Sequence, residues 1–596
     1  MSIKHIFTFI QNNRFWKGLL LLILCIAIIK FLYLYWYINH NPYYRALMWD
    51  SVEYDAIAQQ FLHDSFWKGD VFIMPPGYPL FLRLIYLLFG HSTLSVLIIQ
   101  NLLTLFTIVL IALIGRTLFN GKVGLIAVAL YSLYGAMHFY DNKLIDNSLV
   151  NLLLVGSVLF FIQGLLYSRT YLNFFLSGLL SGAAVLSKPN IAMIFLLYVL
   201  AILFRLRKKG IMYALIVLLA GSITITPIAV RNYLVSHSPV MITAYGGLAF
   251  YGGNRADAKP YFSGLPFTLP AGPTFNMISK YIQETTGKAM SPAEISAHYY
   301  KKGLRFIVQN PVEWLKLTLQ KAKLSIANYE QEANYSYDLE KNPCKKIFFI
   351  PFALILALAS ITILTRKFTI EKAILLIPVV VIYVTMIILY ALPRLRTPAI
   401  PFLCILAGHS LYQLIIEKYS GMKLIRFFVF AVVFFFSLSI KPPYTMNLQA
   451  NEYLQYGLAY GNLKDFKKAE YWINKSLHLE PANAKAYAGM AAIYKLQDRD
   501  LDTLHYYQRA LKYNDNDAEI HNNLASLYFI NNNIEKASYH LTRAYQLNPY
   551  HPSILYNMAL LKIKEKNMKE AQHYYDRAMF FGARDTFQLR YYFSGK

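Results

Sequence analysis

Acidic residues and cysteines are scarce in this chain, and their scarcity excludes much. Against 58 Lys and Arg stand only 32 Asp and Glu, a net charge of +26, and there are 3 Cys in 596 residues. Cys25, Cys344 and Cys404 offer neither a disulfide framework nor the paired spacing of a zinc site, and two of them lie inside apolar runs. No phosphate-loop motif, His-Glu-x-x-His pattern or strand-turn-helix serine elbow is present. Isolated histidines such as His91 and His138 read as structural groups. Charged residues make up 15% of the chain, hydrophobic ones 56% and aromatic ones 16%, with a mean hydropathy of +0.35. Such a composition excludes an ordinary soluble globule. The basic residues form short clusters between apolar runs and not one soluble face, so nucleic acid is not an expected partner.

What is present is a series of apolar runs. Taking about twenty apolar residues per span predicts about eleven spans, near 18–38, 92–115, 123–140, 147–167, 171–187, 190–205, 211–230, 346–365, 373–392, 398–416 and 424–440. The first run follows Lys4, Arg14 and Lys17, lacks a small-residue cleavage site, and reads as an uncleaved anchor. Basic connections at Arg116/Lys122, Arg169, Arg205 to Lys209, Arg366 to Lys372 and Lys418 to Arg426 alternate with less basic ones. The positive-inside rule then places these connections and the N-terminus in the cytoplasm. Two long loops, 39–91 and 231–345, fall on the extracytoplasmic side, and an odd number of spans sends the C-terminal part there too.

The first loop carries Met48-Trp49-Asp50-Ser51-Val52-Glu53-Tyr54, two carboxylates and aromatics at helical spacing beside a span. Acids at that depth are costly unless they act. Ser51 to His63 reads as an interfacial helix, with Val52, Ile57, Phe61 and Leu62 opposite Glu53, Gln59 and Gln60, capped by Ser51. Met74-Pro75-Pro76-Gly77-Tyr78-Pro79-Leu80 is a turned segment, either a rigid connection or a brace for the wall facing Asp50. The second loop opens with Arg231-Asn232 and continues through Tyr245-Gly246-Gly247-Leu248-Ala249-Phe250-Tyr251-Gly252-Gly253-Asn254. Its paired glycines permit close backbone approach, and its aromatics offer ring faces to a sugar. Residues 293–329 read as amphipathic helix broken at Pro311.

From about residue 450 a period of 34 residues emerges. Gly457, Ala491, Ala525 and Ala559 are in register, as are Ala469, Thr503, Ala537 and Ala571, then Ser476, Ala510, Ala544 and Ala578. Pro481, Asp515 and Pro549 close the units. Small residues at these positions let antiparallel helices pack closely, and the pattern resembles about four tetratricopeptide repeats.

Asp50, Glu53, Asp141 and Asp146 are the acids at outer span ends that could converge. Asp146 alone also suits a helix N-cap. On the same side, Lys188, Arg231, Arg394 and Arg396 break the positive-inside pattern. A phosphate anion would explain them, as snorkelling to headgroups would for Lys188 or Arg231 singly. Together, Asp50-Ser51 with Tyr54, the Pro75 to Leu80 turn, Asp146, Arg231-Asn232 with Gly246 to Asn254, and Arg394-Leu395-Arg396-Thr397-Pro398 with Pro401 make residues 15–440 resemble the GT-C polyprenyl-phosphate-dependent glycosyltransferases. The resemblance is to the family 39 group, which includes protein O-mannosyltransferases and the lipid A aminoarabinose transferase.

The resemblance implies an all-α polytopic bundle in the bacterial inner membrane over residues 1–445, with a repeat domain over 446–596 outside. It implies inverting transfer from a polyprenyl-phosphate sugar donor, with Asp50 as general base and Glu53 and Asp146 as further catalytic acids. Tyr54, Tyr78, Lys188, Arg231, Tyr245, Asn254, Arg394 and Arg396 are the expected substrate-binding set. Asp50 is the one candidate ligand for a magnesium or manganese ion. The repeats suit a protein or peptide-bearing acceptor or a protein partner, and a glycolipid acceptor also fits. Two other readings stay open. One is a lipid-linked oligosaccharide ligase, for which His298 is the candidate histidine; the other is a non-enzymatic membrane scaffold for envelope assembly.

Overall fold

The computed structural model describes residues 13–63, 66–261, 264, 275–330, 340, 349–364, 369–416, 421–441 and 447–583, and every regular element among them is helical. Helices α1 (Arg14–His40), α2 (Asp50–His63), α3 (Gly77–Phe89), α4 (Thr93–Leu118), α5 (Gly121–Leu133), α6 (Gly135–Asp141), α7 (Asn147–Ile162), α8 (Tyr171–Ser187), α9 (Met193–Leu206) and α10 (Ile211–Ser236) come first. They are followed by α11 (Gly246–Gly253), α12 (Phe275–Thr286), α13 (Pro292–Gln309), α14 (Pro311–Ser325), α15 (Phe352–Leu364), α16 (Ile370–Ile388), α17 (Ile400–Ile416) and α18 (Gly421–Ser439). A helix occupies each of the expected span positions. By length and composition, seven described helices can cross a membrane, or eight if α5 and α6, bent by 63°, count as one, while α3, α8 and α15 are shorter apolar helices. One of the seven is the 48-residue run Pro189–Ser236. A Cβ at Gly221 on α10 would strike the Phe195 ring on α9, so this run doubles back at Arg207–Gly210 and holds two antiparallel helices.

Lipid tails are as apolar as leucine, so membrane helices adhere through close packing and internal polar bonds. Here α8 shows both. Gly178 and Gly182 lie against the backbone of α10, where any Cβ would collide with Val217 or Thr224. On its other side, Ser157 of α7 donates to the Ser177 carbonyl at 2.9 Å and pairs with the Ser181 hydroxyl at 2.6 Å. Gly115 and Gly124 bring α4 against α5, and Gly408 brings α17 against α5. Within the bundle, Lys30 of α1 pairs with Asp141 at 2.6 Å, both almost fully buried.

The repeats form four helical hairpins: α19 (Leu448–Asn462) with α20 (Phe466–Leu479), α21 (Ala484–Lys495) with α22 (Asp500–Tyr513), α23 (Ala518–Ile530) with α24 (Ile534–Leu547), and α25 (Pro552–Lys564) with α26 (Met568–Phe580). Ala469, Thr503, Ala537 and Ala571 are all fully buried, as their register requires. The backbone repeats as faithfully. Lys464, Asp498, Asn532 and Lys566 each turn a hairpin with φ between 56° and 61°, a left-handed conformation at the same 34-residue interval.

The chain divides into two compact units, one of which holds the repeats. One departure stands out. Helix α12, expected to belong with the membrane part, is grouped with the repeats together with Arg45–Met48. Its Tyr281 ring meets Tyr550 edge-on at 4.8 Å, Lys280 lies over Phe580, and Glu284 pairs with Arg577 at 2.5 Å. Tyr281 also packs on the cluster formed by Leu555, Ala578 and Phe581, so α12 covers the last hairpin.

Candidate active site

Helix α2 begins at Asp50, one residue earlier than expected. The Trp49 carbonyl accepts from Val52 and Glu53, so Trp49 caps the helix, while Ser51 is buried in its first turn. Trp49 itself has φ 52°. A bulky side chain in that region is strained backbone of the kind that accumulates at functional sites.

Asp50 Oδ2 lies 2.5 Å from Arg394 Nη1, with the side chains 26% and 20% exposed. The pair is therefore formed and still reachable by substrate. Glu53, one turn along, has its carboxyl pushed up by burial and then by the Asp50 charge. Tyr245 and Tyr390 border these acids: burial raises both phenols, and the Asp50 charge raises them further. Five side chains from four chain regions thus converge. A cation faces one carboxylate, while burial disfavours the charged form of its neighbour.

A second pair lies at the same end of the bundle. Lys188 Nζ is 3.4 Å from Asp146 Oδ2, both buried. Asp146 occupies the N-cap position of α7, but its carboxylate bonds Lys188 and not the helix. Asn147 donates to Thr397 at 2.6 Å and Thr385 to the Asn190 carbonyl at 2.9 Å, which ties this pair to the turn bearing Arg394. Gly77 lies against Ser187, where a Cβ would overlap the backbone. The proline turn therefore braces the Lys188 turn directly.

Several expected ligand contacts have other tasks. Arg231 donates to the carbonyls of Phe66 at 3.1 Å, Lys68 at 2.7 Å and Asp70 at 2.6 Å, and stacks over Phe72 at 4.1 Å. Its fork organises the first loop. Arg396 is 1% exposed, bonds the Ala327 and Tyr329 carbonyls and Glu330, and stacks on Phe352 at 3.8 Å. Asn254 donates to the Phe250 and Ile388 carbonyls and accepts from Trp314. Tyr54 is buried edge-on to Tyr78, whose hydroxyl bonds Gln100. The paired glycines serve packing, since Gly247 abuts Ser296 and Gly253 abuts Leu389. Phe250 and Tyr251 pair with Tyr300 and Tyr299 of α13. Asp141, paired with Lys30, does not join the Asp50 group. Partial burial, and then the charges of Lys302, Arg305 and Lys301, push the His298 imidazole below its ordinary value.

Sequence reasoning missed Tyr390 and Asp55. Asp55 lies on the buried face of α2 while Val52 is 46% exposed, a departure from the expected amphipathic face at its first turns, whereas Phe61 is buried and Gln60 exposed as expected. It accepts from the Tyr86 hydroxyl at 2.5 Å and from Gln59, and meets His91 at 2.9 Å. Among the described residues no group of three or more His, Cys, Asp or Glu could hold a metal ion. A magnesium or manganese ion would find Asp50 and Glu53 only, with Arg394 already on Asp50.

Residues 74–229 match the family model for dolichyl-phosphate-mannose-protein mannosyltransferase. Residues 453–483, 506–537 and 552–579 match tetratricopeptide repeat models. Comparison with curated proteins finds no match. Among solved structures, Pseudomonas aeruginosa pilF is 22% identical over 23% of this chain and 63% of its own, with a TM-score of 0.22. YrrB, a repeat protein with an unusual peptide-binding site, is 17% identical over 31% of this chain and 86% of its own, with a TM-score of 0.21. ArnT from Cupriavidus metallidurans, solved with undecaprenyl phosphate, is 13% identical over 84% of this chain and 80% of its own, with a TM-score of 0.41. The chain is all-helical among its described residues and carries several helices long and apolar enough to cross a membrane, as a multi-pass membrane protein does. It joins a mannosyltransferase-family segment to C-terminal tetratricopeptide repeats.

Proposed function

We propose that the protein transfers a sugar from a polyprenyl-phosphate donor to an acceptor on the extracytoplasmic side of a bacterial inner membrane. The observation that carries this reading is the Asp50–Arg394 pair, open to substrate beside Glu53, whose carboxyl is pushed up by burial and then by the Asp50 charge. The acceptor hydroxyl or amine attacks the anomeric carbon from the face opposite the phosphate. The new bond to carbon forms as the carbon–oxygen bond to phosphate breaks, and the configuration inverts. Asp50 takes the acceptor proton, and the departing electron pair stays on the phosphate. Arg394 and Lys188 hold that anion, Asp146 positions Lys188, and Tyr245 borders the sugar.

Arg394 serves in two ways. Before the donor binds it pairs with Asp50, and when the phosphate arrives it has an anion with more oxygens to bond, which frees Asp50 to act as a base.

The repeats recruit a protein acceptor or partner. The packing of α12 on the last hairpin supports one compartment for the second loop and the repeats, since α15, α16, α17 and α18 lie between them and an even number of crossings returns to the same side. Transfer of labelled sugar from synthetic polyprenyl-phosphate donors in purified membranes tests the reading, with label counted separately in protein and lipid. Label that depends on Asp50 supports it. Equal label from the Asp50→Asn variant overturns it.

A further inference from the structure

Helices α13 and α14 carry a stripe of apolar side chains that stays exposed among the described residues, with Tyr300 at its start resting partly on Phe250. Tyr300, Leu304 and Val308 follow one another at four-residue spacing on α13, exposed by 42%, 53% and 78%. On α14, Val312, Leu315 and Leu319 continue at three and four residues, exposed by 65%, 52% and 61%. Both spacings put the residues on one side of a helix. Along the two helices stand the exposed cations Lys301, Lys302, Arg305, Lys316 and Lys323, against two exposed acids, Glu294 at the start of α13 and Glu313.

The depth of this stripe is set by two bonds. Lys321 of α14 donates to the Gly253 carbonyl at 2.5 Å and reaches the Ile388 carbonyl at 3.5 Å. Ile388 is the last residue of α16, one of the helices able to cross the membrane. Trp314 is tied at 3.0 Å to Asn254, which itself bonds the same Ile388 carbonyl. Helix α14 is thereby fastened to the end of a helix long and apolar enough to cross a membrane.

We propose that the exposed faces of α13 and α14 form a lipid-binding surface that sinks its stripe into the adjoining leaflet and binds the phosphates of anionic headgroups. Leucine and valine at that level gain by leaving water, and Lys301, Arg305 and Lys316 can reach phosphate from the stripe's edge. Charge and depth together select a lipid over a soluble protein as the occupant. The assignment does not depend on the transfer reaction.

The test uses the full chain in nanodiscs with Cys25, Cys344 and Cys404 replaced by Ser and an environment-sensitive fluorophore on a single cysteine at Val308, Leu315 or Leu319. The expected result is blue-shifted emission, quenching by lipids brominated near the headgroup, and protection from aqueous iodide. Adding phosphatidylglycerol to phosphatidylcholine discs enlarges the shift, and the triple variant Lys301→Glu, Arg305→Glu, Lys316→Glu loses that enlargement while its melting temperature is unchanged. Iodide quenching at all three positions in both lipids overturns the proposal. So does shielding that arises only at high protein density, which would assign the face to a second copy of the chain.

Discussion

Asp50 and Arg394, 2.5 Å apart, join the first turn of an interfacial helix to a short turn between two membrane helices far along the chain. The Asp50 charge adds to burial in raising the carboxyl of Glu53 and the phenols of Tyr245 and Tyr390. Asn at position 50 keeps the shape and a hydrogen bond to Arg394 but cannot accept a proton. Asp50→Asn is expected to lower sugar transfer by about 10²–10⁴-fold with the fold intact. Single-turnover transfer alongside thermal unfolding in detergent checks both halves.

Two arginines two residues apart separate binding from architecture. Arg394→Gln is expected to weaken donor use severely and leave the melting temperature nearly unchanged, because its partner Asp50 is partly open to water. Arg396→Gln strands Glu330 and two buried carbonyls, and removing one partner of a buried pair costs about 3–5 kcal/mol. Comparing donor dependence and unfolding temperature for the two variants decides the matter, and equal behaviour would refute the division of labour.

Glu53 gives the site a pH signature. Burial and the Asp50 charge raise its folded value, so the native state keeps a proton that the unfolded chain has released. Its contribution to stability is present in full below the ordinary carboxyl range and is lost as pH rises through the raised value. Glu53→Gln, which carries no titrating proton, is expected to flatten that part of the stability profile and to be relatively more stable than the native protein at neutral pH. Unfolding temperatures measured across the weakly acidic range check the sign.

Arg231→Lys is expected to loosen the first loop without touching the chemistry. A lysine cannot reproduce a planar fork on three carbonyls, and each carbonyl left away from water costs about 1–3 kcal/mol. Faster proteolysis in the segment that carries Phe66, Lys68 and Asp70 is the expected readout, while limited proteolysis at the native rate would count against this role.

The repeats and the spans were legible because their signals are periodic: small residues every 34 positions, apolar residues without interruption. Asp50 was legible because an acid at a span end is unusual. The tasks of Arg231, Arg396 and Asn254 were not, since their partners are backbone carbonyls, which every residue carries and no motif marks. Asp55 escaped for a related reason: a polar residue is assigned to the outer face of a helix until Tyr86 and His91 are known to meet it. Tyr390 reached the site only through the way α16 ends.

The capping of the last hairpin by α12 has a consequence in time. Glu284 and Arg577 are separated by 293 positions, so α12 emerges from the ribosome long before the surface it covers exists. At roughly 5–20 residues per second the wait is on the order of tens of seconds. Throughout it the last hairpin that Tyr281 packs on is still unmade, and α15, α16, α17 and α18 must be synthesised before the repeats arrive. A chain released early would expose the Tyr281 face permanently, which offers quality-control machinery a mark that distinguishes unfinished molecules from complete ones.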